Sequence, residues 1–246
     1  MKKRIIILSV VVILCMGIFM LLNIEVSIQQ GINFQVRSIK MPLYLKVLDF
    51  FDRHYNYKNL VREIIEDSDS KPERIAKIFD WTHSNIKRVP EGVVIIDDHV
   101  WHIIVRRYGT NDQSADVFST LCNYAGVEAF FDFIYADAGK GMMPLAFVKI
   151  NNAWGVFDPY NGVYFKNRAG EFASIKEIKE GNCLLYAIGD TDKRFDDYAR
   201  YLHNLPSFKD IGFKRANVQS PLRRLMYEAS KAISKINKPD NNNEKD

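Results

Sequence analysis

The longest apolar stretch of the sequence lies near its N-terminus, where residues 5–22 carry no charge and follow Lys2, Lys3 and Arg4. As a helix with about 1.5 Å of rise per residue, this stretch would extend about 27 Å, close to the hydrocarbon thickness of a bilayer. The sequence therefore predicts one N-terminal transmembrane helix that contacts the lipid bilayer through residues 5–22.

The flanks of this apolar stretch favour an anchor that is not removed. No small-residue cleavage site follows it, as a cleaved signal peptide usually requires, and no small residue stands directly before Cys15, as a lipoprotein signal requires. A cleaved signal peptide is the alternative. Because basic residues tend to stay on the cytoplasmic side, we expect a single-pass protein with a cytoplasmic N-terminus. The main domain, from about residue 24 onward, is then extracytoplasmic.

Helical spacing of apolar residues returns after a polar juxtamembrane stretch at 23–40, which has some strand character. It is seen over 42–54 and again over 58–66. A clearer helix begins after Ser70, with Pro72 and Glu73 in its first turn, and the next is predicted over 112–125.

Beyond Gly126, a residue suited to the left-handed conformation after a helix, the pattern becomes extended. Runs rich in Val, Ile, Phe and Tyr predict strands at 129–135, 145–150, 154–157 and 163–165. The pairs Asn151-Asn152 and Asn161-Gly162 fit tight turns between antiparallel strands. Short helices are expected near 174–180, 193–204 and 221–235, followed by a disordered tail at 237–246. The fold class is α+β, with helices packed on an antiparallel sheet.

The apolar residues of the last helix lie at one-face spacing, as Leu222, Leu225, Met226, Ala229 and Ile233. Basic residues lie among them. We predict a packed terminal helix, and contact with an anionic membrane surface is the alternative.

Composition and charge narrow the function classes. Of the 246 residues, 47% are hydrophobic and 26% are charged, which fits a globular domain. The net charge is +4, but Lys2, Lys3 and Arg4 supply three of these charges. The remainder is nearly neutral, so the sequence does not support a broad nucleic-acid-binding surface, and we predict no nucleic-acid partner. The three cysteines are too widely spaced for a zinc knuckle, and no cofactor is predicted.

The segment 109–127 reads GTNDQSADVFSTLCNYAGV and carries a family resemblance. Its spacing resembles the nucleophile helix of the transglutaminase-like superfamily, a papain-like α+β group with a Cys-His-Asp triad. The pattern W-x3-D-P at 154–159 and the pattern W-x3-N-I at 81–86 resemble two further elements of that family. The positions that match within the first segment are Gly109, Ala115, Phe118, Leu121, Gly126 and Val127.

The resemblance also implies where the triad should lie. The cysteine position holds Asn111, the histidine position holds Met143, and only Asp158 keeps its residue type; Phe147 replaces a usual glutamate. An asparagine amide is not a comparable nucleophile, and methionine cannot carry a proton. The resemblance therefore implies a member of the family that has lost acyl-transfer chemistry.

Residues near the start of this helix are candidates for binding in a cleft: Arg107, Gly109, Thr110, Asp112, Gln113 and Trp154. The apolar run Met142, Met143 and Pro144 would line the same cleft. Arg106 and Arg107 could bind an anion at the helix N-terminus, or they are solvated surface residues.

Structural interpretations compete with these roles. Thr110 and Gln113 fit a capping box, so Asn111 is interpreted first as a helix-start residue, and Asp158 before Pro159 suits a turn. Cys122 lies about three turns beyond Asn111, which favours a buried free thiol. Cys183 looks like another small core residue, although oxidation of the two outer cysteines stays open.

The cluster Asp97, Asp98, His99 and His102 is a weak metal candidate. The flanking residues 93–96 and 103–105 predict extended chain, which sends the two histidines to opposite faces. We therefore expect loop histidines and no metal site.

Five segments follow from these patterns: a cytoplasmic stub and anchor at 1–23, a juxtamembrane and helical lead-in at 24–70, a transglutaminase-like core at 71–166, a C-terminal helical extension at 167–236 and the tail at 237–246. The function expected is non-catalytic binding of a peptide, a glycan or an envelope protein. One alternative is an enzyme with rebuilt chemistry around Asp158 and Asp112, or His102. Another is a purely structural component of an envelope assembly.

Overall fold

The computed structural model describes residues 2–32, 35–97, 99–136, 141–189, 194–208 and 211–236. Helix α1 (Lys2–Leu22) contains the predicted anchor. Among the described residues it is the helix that is long and apolar enough to cross a membrane, with a mean hydropathy of 3.2 over the span Lys3–Leu22. Its side chains are not buried against the rest of the protein. The predicted disordered tail at 237–246 lies outside the described residues.

A hairpin and a long helix follow α1. Strands β1 (Glu25–Ile32) and β2 (Gln35–Pro42) pair antiparallel, so the strand character of 23–40 is confirmed. Helix α2 (Leu43–Ile64) is continuous where the spacing predicted two helical stretches. Its centre holds together because Tyr57, between those stretches, is fully buried in the core.

Two capped helices form the middle of the chain. Helix α3 (Lys71–Asn85) begins after Ser70 as predicted, and a capping box forms there, in which the backbone N–H of Ser70 donates to Glu73 at 2.7 Å. Helix α5 (Asn111–Tyr124) ends before Gly126, whose φ of +78° is the predicted left-handed conformation. Between these helices lie β3 (Lys87–Arg88), β4 (Ile96–Asp97), α4 (Val100–Arg106) and β5 (Tyr108–Gly109).

Helix α4 corrects one prediction, because residues 103–105 are helical and not extended. Their β-branched side chains favour a strand locally. In the fold, Val100, Ile103 and Ile104 occupy one helical face and are buried in the core beside α5. Tertiary packing of that face outweighs the local preference.

The strand predictions are confirmed. Within the described residues, a five-stranded antiparallel sheet has the strand order β10-β9-β8-β7-β6. Its strands are β6 (Ala129–Tyr135), β7 (Met142–Ile150), β8 (Ala153–Asp158), β9 (Val163–Lys166) and β10 (Leu184–Ala187). Asn151 and Asn152 have φ of 48° and 65°, as a tight two-residue turn between β7 and β8 requires.

Each face of the sheet buries its own core. On one face, Ala146 and Phe157 pack with α3 and α5; on the other, Phe147 and Trp154 pack with Tyr198. Side chains alternate along a strand, which explains how neighbouring residues reach opposite cores. The α+β fold class, with helices on an antiparallel sheet, is confirmed.

The C-terminal region supplies the remaining elements. Strand β10 adds to the sheet and α7 (Phe195–Leu202) covers its second face. Three further helices complete the described chain: α6 (Ile175–Lys179), a 3-10 helix (Asn217–Gln219) and α8 (Pro221–Ile236). Helices were thus correctly predicted near 174–180 and 221–235. The helix predicted at 193–204 is confirmed over Phe195–Leu202; Arg194, His203 and Asn204 are not helical, and residue 193 lies outside the described residues. The division into segments stays a prediction.

Candidate functional site

The start of α5 is built by a capping box. Thr110 is the N-cap, and its backbone N–H donates to Oε1 of Gln113 at 3.1 Å, while its hydroxyl donates to the Asp112 carboxylate. Asn111 is the first helical residue, and its Oδ1 accepts from the backbone N–H of Asp112 at 2.9 Å. The helix-start interpretation of Thr110, Asn111 and Gln113 is therefore confirmed.

Gln113 connects this helix start to the chain before it. The side chain is only 4% exposed; its Nε2 donates to the carbonyl of Ile96 at 2.7 Å, and its Oε1 accepts from Arg106 at 2.8 Å. Gly109 lies against the same side chain, since a Cβ there would come within 3.1 Å of Gln113. Gly109 is needed for this close approach.

A pocket of about 280 Å³ opens beside the first residue of α5. It brings together Asn111 from α5, Met143 from β7 and Asp158 from the end of β8. We call it the Asp158 pocket; its described lining residues are Arg88, Asn111, Met142, Met143, Pro144, Asp158, Tyr160 and Asn161. All three positions that the resemblance assigns to a triad thus line one cavity.

Asp158 is only 3% exposed and accepts several hydrogen bonds. Its Oδ1 accepts from the backbone N–H of Asn161 at 3.1 Å, and its Oδ2 accepts from Nδ2 of Asn161 at 2.7 Å and from the Tyr198 hydroxyl at 2.7 Å. The bond to the backbone three residues on is a turn contact, so the turn interpretation of Asp158 is confirmed. Burial and the Asp158 carboxylate raise the pKa of Tyr198.

The remaining wall of the pocket was not predicted from the sequence. The Arg88 guanidinium lies over the Tyr160 ring at 5.0 Å and donates to Oδ1 of Asn161 at 3.2 Å. Asn161 was assigned only to a turn, and Tyr198 lies outside the segment that carries the resemblance. No local signal links Tyr198 to Asp158, because this contact depends on how α7 packs against the end of β8.

The apolar side of the pocket agrees with the expectation for 142–144. Met142 is 59% exposed, Met143 is half-buried, and Pro144 is buried at the strand. The pocket therefore has one apolar wall and one polar wall.

The two candidate anion-binding arginines are held by protein acceptors. Arg106 donates to the carbonyls of Tyr108 at 3.0 Å and Ile96 at 3.1 Å, in addition to Gln113. Arg107, in a left-handed conformation with φ of 64°, donates to Oδ1 of Asn85 and lies over the Trp81 ring at 5.6 Å. Both partners of Arg107 belong to the W-x3-N-I element. These contacts join the chain just before α5 to its neighbouring segments.

Other sequence candidates lie apart from the pocket wall. Trp154 is 9% exposed and packs in the second core, with its ring 5.1 Å from that of Phe130. Cys122 and Cys183 are both free; Cys122 is fully buried, as predicted, and burial raises the pKa of its thiol. Burial and the nearby Glu177 carboxylate raise the pKa of Cys183, which is only partly buried.

The histidine pair also differs from the prediction. His99 is the N-cap of α4 and His102 lies in its first turn, so their ring centroids are 5.9 Å apart and the two are not on opposite faces. Desolvation by surrounding protein atoms, followed by the Arg53 guanidinium, lowers the pKa of His99 to about 4. In the described part of the chain, no group of three or more His, Cys, Asp or Glu residues is arranged to hold a metal ion.

Comparison with solved structures finds fold neighbours among proteases and a transglutaminase. The chain is similar to a candidate cysteine protease from Cytophaga hutchinsonii, with 13% identity over 54% of this chain and 46% of that one, at a TM-score of 0.38. A candidate protease from Parabacteroides distasonis is 15% identical over 42% of this chain and 23% of its own, at 0.36. A TGase is 11% identical over 54% and 43%, at 0.34.

The chain spans less than half the length of each of these proteins. Similarities at these TM-scores do not indicate an activity for this chain. No family model matches the chain, and no curated protein matches it. The chemistry of the site must therefore be argued from its own residues.

Proposed function

We propose that the chain is a membrane-anchored, extracytoplasmic protein of transglutaminase-like type. Its Asp158 pocket binds a peptide, a glycan or an envelope protein without catalysing acyl transfer. Helix α1 serves as the anchor, with the N-terminus in the cytoplasm. Support for the anchor comes from the length and hydropathy of α1 and from the basic cluster before it.

The observation that carries the proposal is the meeting of Asn111, Met143 and Asp158 in one pocket. They come from three different elements and are separated by 32 and 15 positions in the chain. Their spacing in the sequence, taken without any contact between them, assigns them to the triad positions of the family they resemble. Their shared cavity supports that register, and with it the resemblance.

The chemistry of the lining residues favours binding over catalysis. The described wall holds two amides, two thioethers, a carboxylate, a guanidinium and a phenol but neither a thiol nor an imidazole. Asp158 is engaged by Asn161 and Tyr198, so its oxygens are occupied where a triad aspartate would orient a histidine. The polar groups at the pocket are acceptors and donors for a ligand, and the methionines offer it an adaptable apolar contact.

The size of the cavity limits the ligand. At about 280 Å³ the pocket is at the lower end of small-molecule sites, which run from about 300 to 1,000 Å³. It fits a single amino-acid side chain or a single sugar unit, with the rest of the ligand outside. A longer chain, either peptide or glycan, is therefore a better partner than a compact cofactor.

The enzyme alternative has less support from the geometry. It needs a second titratable group beside Asp158, and the candidates were Asp112 and His102. Neither belongs to the described pocket wall, and the Asp112 carboxylate accepts from Thr110. A rebuilt active site would bring such groups together.

The register and the loss of catalysis are tested together by restoring the triad. Full-length wild type, Asn111→Cys and Asn111→Cys with Met143→His are compared in detergent for amine incorporation, peptidase activity and the pH profile of alkylation by iodoacetamide. We expect no turnover from wild type. We also expect the double variant to alkylate with a midpoint below the value of about 8.5 that an ordinary thiol shows, because the new imidazole stabilises the thiolate.

Two outcomes would oppose the proposal. Turnover by wild type that disappears in Asp158→Ala would make the protein an enzyme. A thiol in the double variant that titrates like the one in Asn111→Cys alone would show that the register is wrong.

Ligand binding is tested on the same full-length protein with a hexapeptide library and a set of oligosaccharides as probes. We expect saturable binding of one probe class that Met143→Lys abolishes and the control Met226→Lys, on the exposed face of α8, retains. Equal loss in both variants, or no saturable binding of either class, would contradict a ligand site in this pocket.

A further inference from the structure

Helix α8 exposes the face that a surface helix normally buries. Along its 16 residues, the large apolar side chains follow one stripe and point away from the domain. Their exposed fractions are 64% for Leu222, 68% for Leu225, 51% for Met226 and 58% for Ile233, and Ala229 lies between them. The prediction of a packed terminal helix, with this stripe buried, is therefore wrong.

The side of α8 that contacts the domain is the polar one. Tyr227 lies 5.7 Å from the Phe213 ring and is half-buried, as is Arg224, which pairs with Glu228 at 2.7 Å. The helix packs on the short 3-10 helix at Asn217–Gln219. In a globular protein the apolar stripe would face the core, so this orientation leaves a surface that calls for a partner.

The charges of α8 indicate the chemistry of that partner. The helix contains Arg223, Arg224, Lys231 and Lys235 against the single acidic residue Glu228, whereas residues 5–220 taken together are close to neutral. Arg223 and Lys231 are exposed. An exposed apolar stripe on a helix whose charged residues are four basic and one acidic is the pattern of helices that lie in the headgroup region of an anionic membrane.

A second copy of the chain fits this face less well. Two copies meeting through α8 would bring two helices of net positive charge together, and like charges repel. An anionic bilayer meets both the apolar and the electrostatic requirement.

We infer that α8 lies in the surface of an anionic phospholipid bilayer, with Leu222, Leu225, Met226 and Ile233 inserted among the lipids. The inference rests in part on the proposed anchoring by α1, which keeps the domain close to the bilayer and raises the effective concentration of α8 there. Arg223, about 100° around the helix from Leu222, can reach the lipid phosphates beside the inserted stripe, and the basic residues on the rest of the helix add a longer-range attraction to an anionic surface. The two attachments together hold the domain, and the Asp158 pocket with it, at the membrane surface.

The test places a tryptophan reporter at one of three sites in the full-length chain. The protein is reconstituted at one copy per nanodisc with lipids brominated in the acyl chains, which quench nearby tryptophan. Phe19→Trp reports on α1, Leu225→Trp on α8, and Leu184→Trp, at another exposed leucine on β10, is the matched control. The signal of Trp81, Trp101 and Trp154 is subtracted with wild type.

Insertion by about 5–10 Å brings Leu225→Trp near the acyl chains, so we expect quenching about twofold above that of Leu184→Trp in phosphatidylglycerol discs. The excess should shrink in phosphatidylcholine discs, and also when Arg223→Gln and Lys231→Gln are added. Discs with a single copy exclude a partner chain as the cause of any change.

Equal quenching of Leu225→Trp and Leu184→Trp in anionic discs would overturn the inference. Excess quenching of the same size in both lipids would overturn the choice of an anionic surface. The anchor is judged separately: if Phe19→Trp is quenched and Leu225→Trp is not, only the inference about α8 fails. If Leu225→Trp is quenched and Phe19→Trp is not, only the anchor fails.

Discussion

At the scale of the residue, Asp158 has partners other than the histidine that the resemblance implies. The resemblance assigns it to a triad in which aspartate orients a histidine. Here the corresponding strand position holds Met143, and the carboxylate accepts from Asn161 and from Tyr198, which lies 40 residues further along the chain. The hydroxyl of Tyr198 satisfies a buried acceptor and joins α7 to the end of β8.

Removing that hydroxyl with Tyr198→Phe should destabilise the protein. Asp158 would lose a donor in a buried site, at an expected cost of about 1–3 kcal/mol. Urea unfolding of the full-length protein in detergent, followed by circular dichroism, measures the change. The control Tyr135→Phe, at a residue that is 60% exposed, should stay near the stability of wild type. A Tyr198→Phe protein as stable as wild type would show that the bond does not contribute.

The alkaline side of the stability curve should depend on the same residue. Burial and Asp158 raise the pKa of Tyr198 in the folded protein, whereas an unfolded tyrosine titrates near pH 10. The contribution of the neutral phenol is therefore fully present below about pH 10 and is lost as the pH rises above it. Wild type should lose unfolding free energy more steeply above about pH 10 than Tyr198→Phe, as denaturation at a series of pH values would measure. Parallel curves would contradict this assignment.

At the scale of the element, the start of α5 combines local and distant contacts. The capping box of Thr110 and Gln113 could be predicted because it depends on residues three apart. The bonds from Gln113 to Ile96 and from Arg106 to Gln113 could not, because they join α5 to the preceding segment. These contacts set the position of Asn111 beside the pocket.

Gln113→Leu should weaken this element. Leucine has a similar volume but would leave the carbonyl of Ile96 and the Arg106 guanidinium without that partner, at a cost of about 1–3 kcal/mol. Chemical denaturation measures the loss. Gln35→Leu, on an exposed strand, is the matched control and should change stability by less than about 0.5 kcal/mol. Equal stability of the two variants would mean that the Gln113 contacts contribute little.

At the scale of the whole molecule, two surfaces meet the proposed membrane in different ways. Helix α1 would cross the bilayer, and α8 would lie on its surface. The Asp158 pocket is lined in part by the sheet and α5, and the hydroxyl of Tyr198 in α7 donates to Asp158 in its wall. The proposed role is binding at the membrane surface, with the ligand supplied from the envelope side.

The proposed topology predicts how the protein behaves in membranes. The full-length chain should resist extraction by alkaline carbonate, and protease added from the extracytoplasmic side should digest the residues after about 24. A variant without residues 5–22 should lose this membrane-spanning behaviour. Intact mass measurement distinguishes the alternative, because a cleaved signal peptide would leave a mature chain that begins near residue 24 and lacks α1.

The sequence by itself determined most of the secondary elements and the three residues that the resemblance assigns to a triad. Periodicity, capping residues and turn pairs are local signals, and for that reason α3, α5 and the strands from Ala129 to Lys166 were predicted closely. The resemblance grouped Asn111, Met143 and Asp158 from their spacing, and the three residues do line one pocket.

Only the tertiary structure decided what surrounds these residues. The contact of Tyr198 with Asp158, the Arg88 and Tyr160 wall and the helical state of α4 depend on packing between residues far apart in the chain. The outward face of α8 is decided in the same way, since periodicity predicts an apolar stripe but not the side on which the protein lies. Local chemistry encodes elements, and long-range contacts decide what each element faces.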